Sequence, residues 1–219
     1  MRKIVIGAMV SLDGVMQAPG GPNEDPTGKF RFGGWVAPHF DAVLGESVGA
    51  MFAQPFDLLL GRKTYDIFAA HWPYVGADDP IGPLFDRITK YVASRNPQLQ
   101  LEWQNSRNLG ADVAGALRRL KAEEGPDLLT QGSSELVHTL LEHELFDEIY
   151  LSIFPVVLGK GKRLFVDSTS PGALKLVSSR VSGSGVTVNK YVRDGQVRTG
   201  NFQKEPPTEA ELKRRRNLT

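Results

Sequence analysis

Short apolar runs that alternate with helix-like segments are the feature of this sequence that most constrains its fold. The first run, residues 4–10, is continuous and rich in β-branched side chains, which is typical of a strand covered on both faces. Similar runs follow at residues 56–60, 88–93, 127–130 and 148–154, and residues 99–104 predict a weaker strand. Strands that alternate with helices predict a mainly parallel sheet with helices on both faces.

Helical patterns occupy the segments between these runs, at residues 39–53, 64–70, 112–124 and 131–142. The third has the clearest boundaries, because Asp112 is its predicted N-cap and a Gly-Pro pair ends it. A Gly- and Pro-rich segment, residues 17–38, separates the first strand from the first helix. Long ordered loops of this kind usually carry function.

The carboxyl-terminal part of the chain follows a different pattern. Residues 174–181 and 186–192 flank a Ser-Gly-Ser-Gly turn, which predicts an antiparallel hairpin. We therefore expect a mixed sheet, mainly parallel and closed by this hairpin, within one domain at residues 1–198. Residues 199–219 are polar and basic, and are predicted to be a flexible tail.

Charge and cysteine content exclude several classes of function. The 219 residues carry a net charge of +1 and include no cysteine, which disfavours a nucleic-acid partner and excludes thiolate catalysis. No run approaches the ~18 apolar residues that a membrane span needs. His138 and His143 are five residues apart, so they do not align as metal ligands on one helix face. We expect a cytoplasmic protein with no metal and no membrane contact.

Three predicted strand ends share one pattern, in which an apolar run stops at Gly or Ser and meets a helix or turn. Small residues there leave backbone N–H groups facing outward, and a helix N-terminus adds partial positive charge. Ligands of open α/β sheets bind at this edge. Each junction alone is also explained as a simple turn, but the recurrence favours an anion site. The three stretches are Gly61-Arg62-Lys63-Thr64, Ser94-Arg95 and Gly132-Ser133-Ser134.

Two carboxylates are candidates for catalysis. Asp13 follows the first strand, where it could anchor a substrate or a ribose; the alternative is a turn aspartate that binds nearby backbone N–H groups. Glu46 lies on the helix before the second strand, where one face could look into a cleft; the alternative is a solvated helix residue. Asp13, or a water molecule, is the candidate proton donor.

Taken in order, several motifs resemble those of the dihydrofolate reductase-like superfamily, and more narrowly its RibD C-terminal branch. The resemblance covers about residues 1–192. It is carried by Ser11-Leu12-Asp13-Gly14, by Leu59–Tyr65, by Gln131-Gly132-Ser133, by Asp147-Glu148, by the glycine turn at residues 155–161, and by Leu164-Phe165.

The resemblance implies a three-layer α/β/α fold that binds NADPH and a small-molecule substrate, commonly as a homodimer. Residues 15–38 would then form a lid over the nicotinamide and the substrate. The implied contacts are Ala8, Asp13 and Gly14 near the nicotinamide, Gly61, Arg62, Lys63 and Thr64 on phosphates, Arg62, Ser94 and Arg95 on the 2′-phosphate, and Gly132, Ser133 and Ser134 on the pyrophosphate.

The implied activity is hydride transfer to a pyrimidine- or pteridine-like heterocycle, similar to 5-amino-6-(5-phosphoribosylamino)uracil reductase of riboflavin biosynthesis. A non-catalytic nucleotide-binding module and a true dihydrofolate reductase are the alternatives. The neighbours of Glu46 do not match the acidic helix motif of dihydrofolate reductases. The basic run at residues 213–216 permits a further hypothesis, an arm for nucleic acid or an acidic partner, although four cations in a tail are more often simply solvated.

Overall fold

A single eight-stranded sheet organises the molecule. The computed structural model describes residues 1–218, and within them the strands lie side by side in the order β4-β3-β2-β5-β1-β6-β8-β7. Their bounds are β1 (Ile4–Ser11), β2 (Phe56–Gly61), β3 (Lys90–Ala93), β4 (Ser106–Asn108), β5 (Asp127–Gln131), β6 (Glu148–Phe154), β7 (Leu174–Val181) and β8 (Thr187–Arg193).

Strand direction reverses at β8, and the edge strand β7 runs again in the direction of the first six strands. The first six strands in this order pair in parallel, whereas β8 pairs antiparallel with β6 and with β7. The predicted mixed sheet with a terminal antiparallel hairpin is therefore confirmed. Because the carboxyl ends of the parallel strands share one edge, the predicted phosphate-binding stretches meet there.

Helices cover the sheet on both faces, which confirms the three-layer architecture. Their bounds are α1 (Ala42–Phe52), α2 (Arg62–Ala69), α3 (Gly82–Arg87), α4 (Val113–Ala122), α5 (Ser134–Glu142) and α6 (Glu209–Arg216). The predicted N-cap is confirmed, since the Asp112 carboxylate accepts a hydrogen bond of 2.9 Å from the Gly115 backbone N–H. The helix α6 lies inside the segment predicted to be a flexible tail.

The core consists of a buried cluster on each side of the sheet and a third beneath the long loop. One side packs alternate residues of β1, such as Ile4 and Ile6, against α4 and α5. The other side packs Leu58 and Leu60 of β2 against α2 and α3. The third cluster joins Trp35 of the loop to Phe154 at the end of β6, with the two rings 5.2 Å apart. The loop at residues 15–38 is thereby fixed to the sheet.

The weak strand predicted at residues 99–104 is wrong. The edge strand is β4, a few residues later, and the apolar side chains before it fill the core instead. Trp103 is buried, its indole Nε1 donates to Asp86 at 2.6 Å, and the ammonium of Lys90 lies 4.3 Å from its ring centroid. A cation over an indole face is a favourable contact. The pattern detected in the sequence was therefore that of a packed loop.

None of the helices within residues 1–218 has the length and apolar content required to span a bilayer.

Candidate functional site

A large cleft of about 1260 Å³ lies along the carboxyl edge of the parallel strands. The ends of β3, β2, β5, β1 and β6 form its floor, and the loop at residues 15–38 contributes one wall. Of the residues predicted to bind a cofactor, all but Gly14 line it: Ala8, Gly61, Arg62, Lys63, Thr64, Ser94, Arg95, Gly132, Ser133 and Ser134. The structure therefore brings together stretches that lie far apart in the chain.

Sheet register places the two basic stretches side by side. Gly61 of β2 pairs with Ala93 of β3, so Arg62 and Ser94 leave neighbouring strand ends at the same level. The helix α2 begins at Arg62, earlier than the predicted start at residue 64. Arg62 and Lys63 thus occupy the first helical turn, where their backbone N–H groups have no intrahelical acceptor.

Two helix N-termini open into the cleft without a side-chain cap from any described residue. The N-cap of α2 is Gly61, and the N-cap of α5 is Ser133, whose side chain does not cap its own helix. By contrast, Asp41, Asp112 and Thr208 cap α1, α4 and α6 with their side chains. Uncapped N-termini carry unpaired N–H donors and partial positive charge, so they suit an anionic ligand.

The turn between β5 and α5 has an unusual backbone. Gly132 and Ser133 both have positive φ, at 72° and 66°, and for a serine this conformation is uncommon. The Ser133 hydroxyl accepts a hydrogen bond of 2.9 Å from the Gly61 N–H, which ties the two helix starts together. Gly132 donates its own N–H to the Gly7 carbonyl at 3.1 Å. These two glycine N–H groups are therefore already used, and the free donors belong to the helix turns that follow them.

The cations at this end of the cleft have weak partners. Arg62 forms an ion pair with Asp66 one turn along α2, and Arg95 lies 3.3 Å from Glu135. The Arg95 and Glu135 side chains are 95% and 78% exposed, so the pair is screened by water and contributes little. An incoming phosphate can therefore replace these contacts at low cost.

The loop at residues 15–38, which is the predicted lid, is held in part by the side chain of Gln17. Gln17 is buried and donates from Nε2 to two loop carbonyls, of Asp25 and Thr27, each at 2.9 Å. Its Oε1 accepts from the backbone N–H of Lys162 at 3.0 Å, and the Lys162 ammonium pairs with the Asp25 carboxylate. The wall of the cleft is thus ordered by contacts to a distant part of the chain.

Asp13 and Gly14 lie outside the cleft lining. The Asp13 carboxylate accepts hydrogen bonds from the backbone N–H groups of Leu158 and Gly159, at 3.0 and 2.8 Å, and from the Ser11 hydroxyl at 2.6 Å. These bonds, that of Ser11 foremost, lower the pKa of Asp13 to about 2. A carboxyl group with this pKa is ionised at neutral pH and has no proton to give. Its backbone donors belong to a turn far along the chain, and not to the local turn that the turn-aspartate alternative assumed.

Glu46 also lies outside the cleft lining. It is exposed on α1 and pairs with Arg180 of β7 at 2.9 Å, which matches the alternative of a solvated helix residue. The same helix reaches the cleft through Met51. The catalytic roles predicted for Asp13 and Glu46 therefore remain predictions with no contact to the cleft to support them.

Several lining residues carry no recognisable sequence signal. Tyr150 and Ser152 point into the cleft from β6, and Lys162 enters from the turn beyond it. Gln131 belongs to a motif quoted above but was given no role. The one available signal for Gln131 was its position at the carboxyl end of β5, the edge of the sheet where ligands bind. Alternation along the strand places its side chain on the same face as that of Leu129.

Sequence comparison identifies relatives over nearly the whole chain. Residues 2–188 match the profile of the RibD C-terminal domain. The protein YyaP of Bacillus subtilis (strain 168) is 30% identical over 200 residues, which cover 89% of this chain and 96% of YyaP. YwjB of the same organism is 31% identical over 194 residues, 88% of this chain and 98% of YwjB. Both relatives are named as uncharacterized.

Structure comparison gives neighbours with the same fold at low sequence identity. A putative riboflavin biosynthesis protein from Shewanella sp. PV-4 has a TM-score of 0.61 and 20% identity, covering 88% of this chain and 99% of its own. Dihydrofolate reductase from Enterococcus faecalis, complexed with NADP(H), has a TM-score of 0.56 and 15% identity, and the match covers 88% of this chain and 96% of the reductase. A diaminohydroxyphosphoribosylaminopyrimidine deaminase/5-amino-6-(5-phosphoribosylamino)uracil reductase from Thermotoga maritima has a TM-score of 0.58 and 15% identity. The match covers 88% of this chain and 57% of the Thermotoga chain.

Proposed function

This chain belongs to the RibD C-terminal domain family, and we propose that it is an NADPH-dependent reductase that transfers hydride to a pyrimidine- or pteridine-like heterocycle. The observation that carries the proposal is the pair of uncapped helix N-termini, of α2 and α5, that open beside three cations at one end of the cleft. A dinucleotide with an extra phosphate ester supplies the negative charge that such an end attracts. The dihydrofolate reductase neighbour is complexed with NADP(H).

The residues at the cation end of the cleft form two sets, one for the 2′-phosphate of such a cofactor and one for its pyrophosphate. Arg62, Ser94 and Arg95 leave neighbouring strands at the outer part of the cleft and would hold the 2′-phosphate. The N-terminal turns of α2 and α5 would hold the pyrophosphate, with Lys63 beside them. Ala8, on the central strand β1, would lie against the nicotinamide.

The protein would contribute to the reaction by orienting the cofactor and the substrate and by excluding water from them. When bound, the reduced nicotinamide supplies the hydride, so the chain itself needs only to orient the two reactants and exclude water. Ala8 and the apolar side chain of Met51 both line the cleft, so it can accept a flat ring, and the loop fixed through Gln17 can cover that ring. Exclusion of water strengthens the polar contacts inside the closed site.

The charge on α1 argues against dihydrofolate reduction. Glu46 is the one acidic residue of this helix, and it pairs with Arg180 outside the cleft. A uracil-type or pteridine-type acceptor resembling that of the riboflavin reductases is therefore the better proposal, with the non-catalytic module as its competitor. Steady oxidation of NADPH in the presence of heterocyclic acceptors separates the two, because a module without catalysis would bind NADPH and not consume it.

Replacing Arg62 by Ala tests the cofactor assignment. We expect NADPH binding to weaken by about 1.5–3 kcal/mol, the range for hydrogen bonds to charged groups, and NADH binding to change much less. Isothermal titration of both cofactors measures the difference. The control is Arg118→Ala, because Arg118 is exposed on α4 outside the cleft lining. Equal weakening of NADPH and NADH, or none, would show that Arg62 does not contact a 2′-phosphate.

A further inference from the structure

The cleft has a second end, which differs in charge from the cation end and which we call the acceptor end. Its floor is a row across three strands, because Gly7 of β1 pairs with Gln131 of β5 and with Tyr150 of β6. Cross-strand partners in a parallel sheet point to the same face, so the Gln131 and Tyr150 side chains flank the bare backbone of Gly7. Met51 closes the row, since its Sδ lies 3.4 Å from the point where a Gly7 Cβ would be.

Gln131 has a carboxamide donor that no protein group uses. Its Nε2 is buried and has no hydrogen-bond partner among residues 1–218. The atom lies 3.2 Å from the position of a Gly7 Cβ, a point that the Thr130 carbonyl oxygen and the Met51 thioether also approach, at 3.2 and 3.4 Å. An unpaired buried donor is destabilising, and native proteins retain few of them. The last torsion of a glutamine is broad, so a half turn exchanges Nε2 and Oε1 and presents the donor to the cleft that Gln131 lines.

The charges that the loop at residues 15–38 brings to the cleft are the carboxylates of Glu24 and Asp25, and the latter is already paired. Glu24 of the lid accepts two backbone N–H bonds, from Gly20 at 2.6 Å and Gly21 at 3.1 Å, and it lines the cleft. Asp25 also lines the cleft, and its carboxylate takes the ammonium of Lys162. Since the ammonium group of Lys162 is already paired with Asp25, the two carboxylates leave a net negative charge that repels a phosphate group. The phosphate-binding features lie at the other end, among β2, β3 and the start of α5.

We propose that the substrate that accepts the hydride is an uncharged ring with a lactam edge. The Gln131 carboxamide is the group that recognises this edge through hydrogen bonds. The inference rests on the proposed function, which it refines: the acceptor has the ring of the riboflavin-pathway type and lacks its phosphate. A lactam places a carbonyl acceptor beside an N–H donor. A carboxamide offers the complementary donor and acceptor, so the two can form a pair of parallel hydrogen bonds. Gly7 leaves the space in which a flat ring lies beside Gln131.

A matched pair of ligands tests the lactam. Lumazine, a fluorescent pteridine dione with ring N–H groups, is titrated against the protein, and 1,3-dimethyllumazine serves as the analogue without them. The wild-type protein is expected to prefer lumazine by about tenfold, the effect of one or two buried hydrogen bonds. In Gln131→Met the preference is expected to disappear, because lumazine weakens while the dimethyl compound binds as before. Gln100→Met, at an exposed position outside the cleft lining, should keep the wild-type preference.

Thermal melting separates recognition from a structural role. Because Gln131→Met replaces an unpaired buried donor by an apolar group of similar length, the variant should melt at or above the wild-type temperature. A fall of about 5 °C or more would show that the amide supports the fold, and would overturn the assignment. A wild-type protein that binds the two lumazines equally would overturn it as well.

A second pair of ligands tests the absence of phosphate. Uridine and uridine 5′-monophosphate compete with lumazine on protein held at saturating NADP⁺, so that the cation end is filled. Uridine is expected to displace lumazine at a concentration at least about fivefold lower, since the added phosphate meets Glu24 and Asp25. Equal or tighter binding of the monophosphate would overturn the uncharged acceptor.

Failure of the proposed function is detected separately. If NADP⁺ neither binds nor raises the melting temperature, the cofactor assignment fails, whereas the lumazine pair can still be measured on the protein alone. Loss of lumazine discrimination in a protein that does bind NADP⁺ overturns the role of Gln131 and leaves the cofactor site intact.

Discussion

Asp13 shows at the scale of one residue how a distant part of the chain can set the surroundings of a polar side chain. Its carboxylate receives the Leu158 and Gly159 N–H groups. We expect Asp13→Ala to lower the free energy of unfolding by about 1–2 kcal/mol at pH 7, because these donors lose their acceptor. Urea denaturation of the variant and the wild type measures the loss. Asp78→Ala, at an exposed aspartate, is the control.

The pH dependence of that loss follows from the pKa of Asp13. The folded value of about 2 lies below the ordinary 3.8, so the ionised carboxylate favours the folded state. Its contribution is complete above about pH 4 and disappears as the pH falls towards 2. The difference between wild type and Asp13→Ala should therefore shrink over this range. If the variant is instead as stable as the wild type but no longer oxidises NADPH, Asp13 acts in catalysis after all.

Sequence reasoning predicted the location, at the edge of the sheet, of residues that stand at strand ends. Arg62 and Ser94 directly follow buried strands, and Ser133 follows one after Gly132, so parallel pairing alone predicts that they share one edge. It could not place Asp13, because the donors that bind it lie about 145 positions away in the chain. Gln131 was overlooked for a similar reason: an unpaired amide is visible only when the surrounding groups are known.

Elements bounded by strong local signals were predicted with nearly correct limits, and those stabilised by distant contacts were not. The strand β6 matches its predicted bounds, and Asp112 starts α4 as expected. The short helix α3 was missed, since it forms where Phe85 packs among the rings of Phe56 and Trp72. No pattern within the six residues of α3 predicts this aromatic cluster.

The lid provides a prediction at the scale of an element. A Cβ on Gly33 would lie 2.5 Å from the Gly21 carbonyl oxygen, so the two arms of the loop approach too closely for any other residue. We expect Gly33→Ala to force these arms apart, to lower stability by about 1–3 kcal/mol, and to speed proteolysis of residues 15–38. Limited proteolysis with mass spectrometry locates the cleavage.

The control for this change lies on the facing arm. At Gly21 an added Cβ would meet no atom within 4 Å, so Gly21→Ala should leave the cleavage rate and the stability near those of the wild type. If Gly33→Ala is cleaved no faster than Gly21→Ala, the close approach does not hold the lid in place.

At the scale of the whole molecule, the antiparallel hairpin leaves β7 as a long open edge. All eight of its residues are exposed, and its outer backbone groups have no partner strand within residues 1–218. The register with β8 places Leu174, Leu176 and Val181 on one face, with side chains 38%, 50% and 68% exposed. An open edge with an apolar face is a template for pairing, and soluble proteins normally cover it.

We propose that a second copy of the chain covers this edge, in a two-fold antiparallel pairing of β7 with β7. Light scattering coupled to gel filtration should then give twice the chain mass of 24.1 kDa. Leu176→Lys should shift the protein towards the monomer, because the pairing would bury an ammonium group without a partner. Val197→Lys alters an equally exposed apolar residue outside β7 and should remain dimeric. A wild-type protein that is monomeric at high concentration, or a Leu176→Lys dimer of unchanged affinity, would exclude β7 as the interface.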